Sequence, residues 1–569
     1  MPMDLLTPQG EALLRDKTAP WQTYPRPRLK RESYVNLNGD WDFTVSAEPS
    51  LPHRYNMTIR VPFCPESLLS GIHQHFPDGH SLFYRRKLTL SEGFDRGRVL
   101  LHIGAADQIL DCYVNQKHIG THVGGYEAIT FDITDALEAE NELVLRVVDD
   151  LRSHTLPYGK QVLNRGGMWY TPVSGIWQTV WLENVPDTYI EKLHVENHGA
   201  AVTITTEPPL DGRITIAGLG EYSLTAGRAE IAPETPHWWS PEDPYLYEFT
   251  VEAGSDTVRS YFAIRSLAIQ TVDGLPRLCL NGKPYFFHGL LDQGYWSDGI
   301  YTPAAPECYA RDIQAMKALG FNTLRKHIKV EPEEFYYQCD KLGMVVFQDM
   351  VNNGPYAFFR DTALPTVGIQ RLPDKRAHRD EGTRAAFRAG MKATVNQLRS
   401  HPCICYWTIF NEGWGQFDSD AVYHELRALD CSRFIDSTSG WFRRKETDVD
   451  SRHIYFGPWG QLKLSGKPLV LSEFGGYCYA VEGHLFNPEK AYGYRNCENQ
   501  DALLADILKL YQERILPAIG KGLCAAIYTQ VSDVEDECNG LMTYDRAVIK
   551  VPPAPMQALA EKLYAAIRY

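Results

Sequence analysis

The chain is poor in positive charge: 57 Lys and Arg stand against 71 Asp and Glu, for a formal net charge of −14. Such a balance argues against a nucleic-acid or anionic-membrane partner. The opening Met1-Pro2-Met3-Asp4-Leu5-Leu6-Thr7-Pro8 has no basic segment leading into an apolar one, and no apolar run is long enough to span a bilayer. Neither a signal peptide nor a transmembrane helix is therefore expected. The 12 cysteines lack zinc-type spacing, and Cys403-Ile404-Cys405 lies in a strand-like run where buried free thiols are expected. His73-Gln74-His75 is a weak metal pair without a third ligand. No metal ion and no cofactor are expected, and a reducing cytoplasm is the expected compartment. There is also no fixed-period repeat and no low-complexity tract.

What is present reads as three regions. Residues 1–185 are β-patterned, with strand-like stretches such as Arg98–Ile103 and Glu142–Val148 and a tight-turn dipeptide at Asn38-Gly39. They predict a jelly-roll sandwich. Residues 186–272 carry shorter strands, among them Ala201–Thr205 and Tyr245–Val251, as an immunoglobulin-like sandwich would. From residue 273 to 569 strands alternate with amphipathic helices, which predicts a C-terminal (β/α)₈ TIM barrel. Its eight strands are expected at Tyr285–Gly289, Thr323–Lys326, Val345–Gln348, Cys405–Phe410, Phe434–Ser437, Ile454–Phe456, Leu469–Ser472 and Ala525–Gln530. Helices are expected at Tyr309–Leu319, Arg379–Arg399, Ala502–Ala518 and Pro555–Ile567, the last with Pro555 in its first turn.

Two of these strands end in a carboxylate. Glu412 closes Cys403-Ile404-Cys405-Tyr406-Trp407-Thr408-Ile409-Phe410-Asn411, and Glu473 closes Pro468-Leu469-Val470-Leu471-Ser472. A run apolar on both faces is a strand buried on both sides. A charge at its C-terminal end belongs in the mouth of the barrel, where catalytic groups sit. On this count the two Glu end strands four and seven and can converge on one glycosidic bond. Glu412 would donate a proton to the leaving oxygen and then deprotonate a water, and Glu473 would attack the anomeric carbon. Carboxyl groups roughly 5–5.5 Å apart would retain the anomeric configuration, and roughly 6.5–9.5 Å would invert it.

On these residues the chain resembles glycoside hydrolase family 2, which includes β-galactosidases, β-glucuronidases and β-mannosidases. The resemblance runs through Thr171-Pro172-Val173-Ser174-Gly175-Ile176-Trp177-Gln178, Asn281-Gly282-Lys283-Pro284, Asn411-Glu412 and Ser472-Glu473-Phe474-Gly475. It implies a jelly roll, an immunoglobulin-like domain and a catalytic barrel in this order. It further implies that Asn411 bonds the sugar 2-hydroxyl, Tyr455 orients the nucleophile, Arg325 steadies the carboxylate site and Asp292 binds sugar hydroxyls. His453, Trp441, Arg443 and Trp414 join them as candidate substrate-binding residues.

The chain also departs from the family. Arg325-Lys326-His327-Ile328-Lys329 replaces Arg-x-Ser-His-Tyr-Pro, Leu290–Trp296 lacks the His-rich text of β-galactosidases, and Glu537-Cys538-Asn539-Gly540-Leu541 lacks the Asn-x-Lys of β-glucuronidases. The expected activity is a retaining exo-β-glycosidase, β-galactosidase-like. A β-glucuronidase or β-galacturonidase that uses Lys326, Lys329 and Arg443-Arg444-Lys445 is the alternative. A transglycosylase or a non-catalytic carbohydrate-binding protein is a further reading. The loop Met350–Arg379 could close one end of the site, and Asp533–Glu537 reads as a salt-bridge network or a Ca²⁺ loop. The expected partner is a carbohydrate, with no nucleic acid or membrane, and a homo-oligomer is expected.

Overall fold

The computed structural model describes residues 3–366, 369, 374–455, 459, 462 and 465–567. Two antiparallel sheets form the N-terminal sandwich. One orders Tyr34–Asn36, Val180–Val185, Arg98–Ile103 and Ile129–Asp132; the other orders Met57–Val61, Gly39–Ser46, Ser81–Leu88, Asn141–Val148, Ile109–Val114 and Lys117–Val123. In Gly39–Ser46 the buried Trp41 and Phe43 alternate with exposed Asp40 and Asp42, the two-residue period of a half-buried strand. Phe43, Leu101, Leu145 and Leu182 meet between the sheets. A smaller sandwich follows, of three and four antiparallel strands between Lys192 and Phe262, around Ile204, Ile214, Phe249 and Phe262.

The barrel has eight parallel strands: β1 (Phe287–Asp292), β2 (Thr323–Lys326), β3 (Val345–Asp349), β4 (Ile404–Asn411), β5 (Phe434–Ser439), β6 (Asp450–Ile454), β7 (Leu469–Gly475) and β8 (Leu523–Thr529). The sheet runs β5-β4-β3-β2-β1-β8-β7-β6. Its two end strands face each other, with Ser439 Oγ 3.4 Å from Ser451 Oγ. Every residue of β4 and β7 is buried, as their unbroken apolar text predicts. Helices α1 (Glu307–Ala318), α2 (Glu333–Leu342), α3 (Glu381–Leu398), α4 (Ser419–Leu429), α5 (Gln500–Leu510) and α6 (Pro553–Ile567) cover the outside. Asp380 and Asn499 cap α3 and α5 by accepting from the Thr383 and Ala502 N–H groups. Beyond α1, Gly320 takes φ +86°, and a Cβ there would lie 2.6 Å from that of Ala560 on α6.

Three expectations shift, the first strand lying at Phe287–Asp292 rather than Tyr285–Gly289. Beyond Leu510 the helix widens into a π turn (Tyr511–Ile515) before Leu516–Ile519. The sixth strand lies at Asp450–Ile454 rather than Ile454–Phe456, and Phe456 is outside the described residues. Its text is polar because it faces a polar barrel interior, where Ser451 Oγ lies 2.6 Å from Ser472 Oγ. Among the described residues no helix is long and apolar enough to cross a membrane.

Candidate active site

At the C-terminal end of the barrel, one imidazole joins the two carboxylates. His453, on β6, has Nδ1 2.7 Å from Glu412 Oε1 and Nε2 3.6 Å from Glu473 Oε1. One donor atom from each of the three residues lies within 4.8 Å of the others. Strand pairing sets this up, because His453 is the register partner of Glu473 and Asn411 that of Ser439. Glu412, one residue past β4, adopts φ +51°, and its N–H donates to the Ser439 carbonyl at 3.0 Å.

Glu473 is clamped. Arg325 Nη1 donates to its Oε1 at 2.8 Å and the Tyr455 hydroxyl to its Oε2 at 2.7 Å. Burial pushes the Glu473 carboxyl upward, but the fields of His453, Arg325 and His327 and the Tyr455 bond outweigh it and hold the group at about 2. Arg325 itself is fully buried. It also donates to Asp349 Oδ1 (3.0 Å) and Asn411 Oδ1 (2.9 Å), so one guanidinium aligns β2, β3, β4 and β7. Asn411 Nδ2 is thereby turned away from Arg325. Asp349 also lies 2.8 Å from His327 Nδ1, and Thr529 Oγ1 lies 2.7 Å from the Tyr455 hydroxyl. Tyr494 stacks on Tyr455 with ring centres 3.9 Å apart.

Other candidates sit elsewhere. Asp292 faces out of the barrel and binds Lys326 Nζ at 2.7 Å; Lys326 also donates to Glu331 at 2.8 Å. Lys329 is consumed by Glu331 and the carbonyls of Gly294 and Tyr301. Burial, partly offset by Glu331, pulls Lys329 down to about 8. These side chains form a sealed ionic network behind the strands, since alternate residues of β2 point in opposite directions. Arg443 pairs with Asp450 at 3.0 Å, at the foot of β6, and Arg444 lies near Asp374 and Asp420. Trp414 is packed, its indole N–H donating to the Gly354 carbonyl. Trp441 lies 6.0 Å from His453 between ring centres, and its buried indole N–H has no partner among the described residues.

The N-terminal sandwich supplies part of the mouth, which the sequence did not suggest. Between Val148 and Gly175 the chain forms no strand and lies across the barrel. The N–H groups of Tyr158 and Gly159 both donate to the Asn352 carbonyl, Asn353 Nδ2 donates to the Thr155 carbonyl, and Trp169 packs edge-on against Trp414 and Tyr356. The acidic run after β8 holds this segment: Glu535 accepts from Thr171 N–H (2.8 Å), Arg165 lies 3.3 Å from Glu535 and Asp536, and Tyr170 donates to Glu537. Asp533 pairs with Lys550. The signal that could have revealed it is a strand-free stretch of such length inside a sandwich, which usually has a function.

A barrel whose mouth holds one clamped anionic carboxylate beside a second, differently partnered one is equipped to cleave glycosidic bonds. The chain belongs to glycoside hydrolase family 2, whose TIM barrel domain matches residues 272–565 and whose second model, described as glycosyl hydrolases family 2, matches residues 188–265. It is similar to a β-galactosidase of Thermoanaerobacter pseudethanolicus, 24% identical over 88% of this chain and 67% of that protein. A β-glucuronidase of Bacteroides fragilis is 22% identical over 69% of this chain and 59% of its own length. Among solved structures, a Bifidobacterium dentium β-glucuronidase (TM-score 0.71, 19% identity, 94% of this chain and 98% of that one) shares the fold. So does a β-galacturonidase from Eisenbergiella tayi (TM-score 0.68, 16% identity, 96% and 99%).

Proposed function

We propose that this glycoside hydrolase is a retaining exo-β-glycosidase that works by double displacement. The observation that carries the reading is the short separation of the two carboxylates, with an oxygen of each within 4.8 Å of the other. That spacing suits direct attack at the anomeric carbon and leaves too little room for the interposed water of inversion. Glu473, anionic and aligned by Arg325 and Tyr455, attacks and forms the glycosyl ester. Glu412 protonates the leaving oxygen, and once the ester has neutralised Glu473 it deprotonates the incoming water. Asn411, whose Oδ1 is fixed by Arg325, offers its Nδ2 to the sugar 2-hydroxyl. The loop after β3 and the Thr155–Thr171 segment wall the mouth, which supports cleavage from a chain end.

The β-galactoside reading of the glycone leans on the Thermoanaerobacter relative. A second reading, a β-hexuronide, is favoured by Lys160, a buried cation beside Trp169 that makes no hydrogen bond or ion pair among the described residues. Twelve free cysteines support a reducing compartment. Proton NMR of the first sugar released from a panel of aryl β-glycosides tests the mechanism. A β-configured product, and a sugar–enzyme adduct that fails to form in Glu473→Gln, support it; an α-configured first product sinks it. Added acceptor sugar in the same assay separates hydrolysis from transglycosylation.

A further inference from the structure

Among the described residues four lysines are buried: Lys160, Lys326, Lys329 and Lys550. Three are saturated. Lys326 donates to Asp292 and Glu331, Lys329 to Glu331 and two carbonyls, and Lys550 to Asp533 and the Cys538 carbonyl. Lys160, only 9% exposed, differs. Its ammonium lies 5.5 Å from the centre of the Trp169 ring and makes no hydrogen bond or ion pair among the described residues. Burying an ammonium with no hydrogen-bonded partner is costly, even with the Glu537 carboxylate close enough to feel its charge, so the fold must hold it there.

The backbone shows how. The Lys160 carbonyl accepts from Tyr170 N–H at 3.0 Å, and the two residues before it are tied to the Asn352 carbonyl beyond β3. Gly159 takes φ +65°, and a Cβ there would meet the Ile328 carbonyl and the Tyr126 hydroxyl at 3.0 Å, so the segment is seated against the loop after β2. His327 and Glu537, past β2 and β8, feel the charges of both Lys160 and the nucleophile Glu473. The cation therefore stands in the neighbourhood of the reacting centre. Of the other basic side chains named for an acidic sugar, Lys326, Lys329, Arg443 and Arg444 lie against carboxylates, and Lys445 is exposed beside Glu446.

We propose that Lys160, delivered by the N-terminal sandwich, is the specificity-determining residue that reads a carboxylate on the glycone, so that the substrates are β-linked hexuronides. The proposal rests on the exo-β-glycosidase reading. In a hexuronide the carboxylate sits on C5, which shares the ring oxygen with the anomeric carbon, so a cation near the nucleophile's neighbours can reach it. The anion supplies the partner that the protein withholds, as a charge-assisted hydrogen bond beside the Trp169 face. Lys160 touches neither the anomeric carbon nor the leaving oxygen, so its effect belongs in the choice of glycone.

The test uses the full chain with aryl β-galacturonide, β-glucuronide, β-galactoside, β-glucoside and 6-phospho-β-galactoside, in wild type, Lys160→Met and Lys160→Arg. Wild type is expected to favour a hexuronide over the matching neutral hexoside. Lys160→Met is expected to cut the ratio of their kcat/KM values roughly 10- to 100-fold, mostly through KM, and Lys160→Arg to restore part of it. A neutral hexoside preferred by wild type, a parallel fall for both sugars, or a preference for the phosphosugar overturns the proposal. If wild type cleaves none of the panel, the glycosidase reading falls, and calorimetry of galacturonate, glucuronate and galactose binding still decides the role of Lys160. Uronate binding that Lys160→Met weakens supports it, and binding indifferent to the substitution overturns it.

Discussion

At the scale of the residue, function is written in how differently two identical side chains are held. Glu473 is enclosed by an arginine and a tyrosine hydroxyl, whereas Glu412 meets one imidazole and sits on a backbone with φ +51°. A left-handed conformation in a non-glycine residue costs on the order of 1–3 kcal/mol and persists only where surrounding structure imposes it. Here the bond to Ser439 and the left-handed Gly413 behind it do so. Glu412→Gln keeps the shape but cannot transfer a proton, so kcat should fall roughly 10²- to 10⁴-fold. The loss should be smallest for aryl substrates whose leaving group needs no proton; an equal loss for good and poor leaving groups would count against Glu412 as the acid. Glu473 makes a different prediction. Its folded pKa of about 2 lies below the 4.5 of an ordinary Glu. Its ionised form therefore favours folding above about pH 4.5, and this contribution is lost as pH falls toward about 2. Carbon-13 NMR of labelled glutamate should show the Glu473 carboxylate still ionised at about pH 3.5, and a midpoint near 4.5 would refute the clamp.

At the scale of the element, β4 and β7 were legible because a strand buried on both faces can be written only in apolar residues, which makes a terminal Glu conspicuous. The adjacent β6 is harder to place from sequence because Ser451 and His453 serve the polar interior while Asp450 pairs with Arg443 and Arg452, so the apolar–polar alternation that betrays a strand is absent. Asp292 and Arg443 misled for a related reason: the end of a strand is visible in sequence, but the face a side chain takes depends on register. Lys160 was beyond reach, since no spacing rule links a sandwich loop to a barrel more than a hundred residues later. The sandwich holds a further device. Asp107 and Asp149 are buried together, each with an oxygen that has no partner among the described residues, and both carboxyls are raised, Asp149 to about 7, chiefly by burial and, for Asp107, by its acidic neighbour. A carboxyl raised in the folded state favours folding below its unfolded pKa of about 3.8, and that benefit drains away as pH rises toward about 7. Asp149→Asn can still accept from Gln108 and has no proton to lose. It should raise the unfolding temperature of the sandwich at about pH 8 and flatten its dependence between about pH 5 and pH 8. A variant less stable than wild type at both values would show that the pair is ionised and partnered.

At the scale of the molecule, a segment that folds with another domain lies across the barrel mouth, so activity is expected to depend on how firmly the parts are docked. The docking bonds are buried. Arg265, from the middle sandwich, donates to the Pro402 carbonyl at 2.6 Å and the Ile404 carbonyl at 2.8 Å, just where β4 begins. Trp239 donates to the Asp340 carbonyl, the Tyr261 hydroxyl to the Asp340 carboxylate, and Arg28 to the Ser400 carbonyl. Each bond spans two units and takes a donor from a buried acceptor if broken, at roughly 1–3 kcal/mol where no other donor remains; the Asp340 carboxylate keeps His401 and the Cys403 N–H, and the Ile404 carbonyl keeps Arg433. Such coupling makes independent unfolding of the three units unfavourable. Scanning calorimetry of the whole chain should therefore show one dominant transition, with activity lost along it. In Arg265→Met the side-chain stem still fills the space but both carbonyls lose this donor. The transition should then split, with the barrel melting at lower temperature than the N-terminal sandwich. If Arg265→Met merely shifts a single transition, the units are held by apolar contact rather than by these bonds. If wild type already shows three separate melts, the mouth is assembled from independent parts, and the seating of Lys160 near His327 and Glu537 would depend on the local ties of the Thr155–Thr171 segment alone.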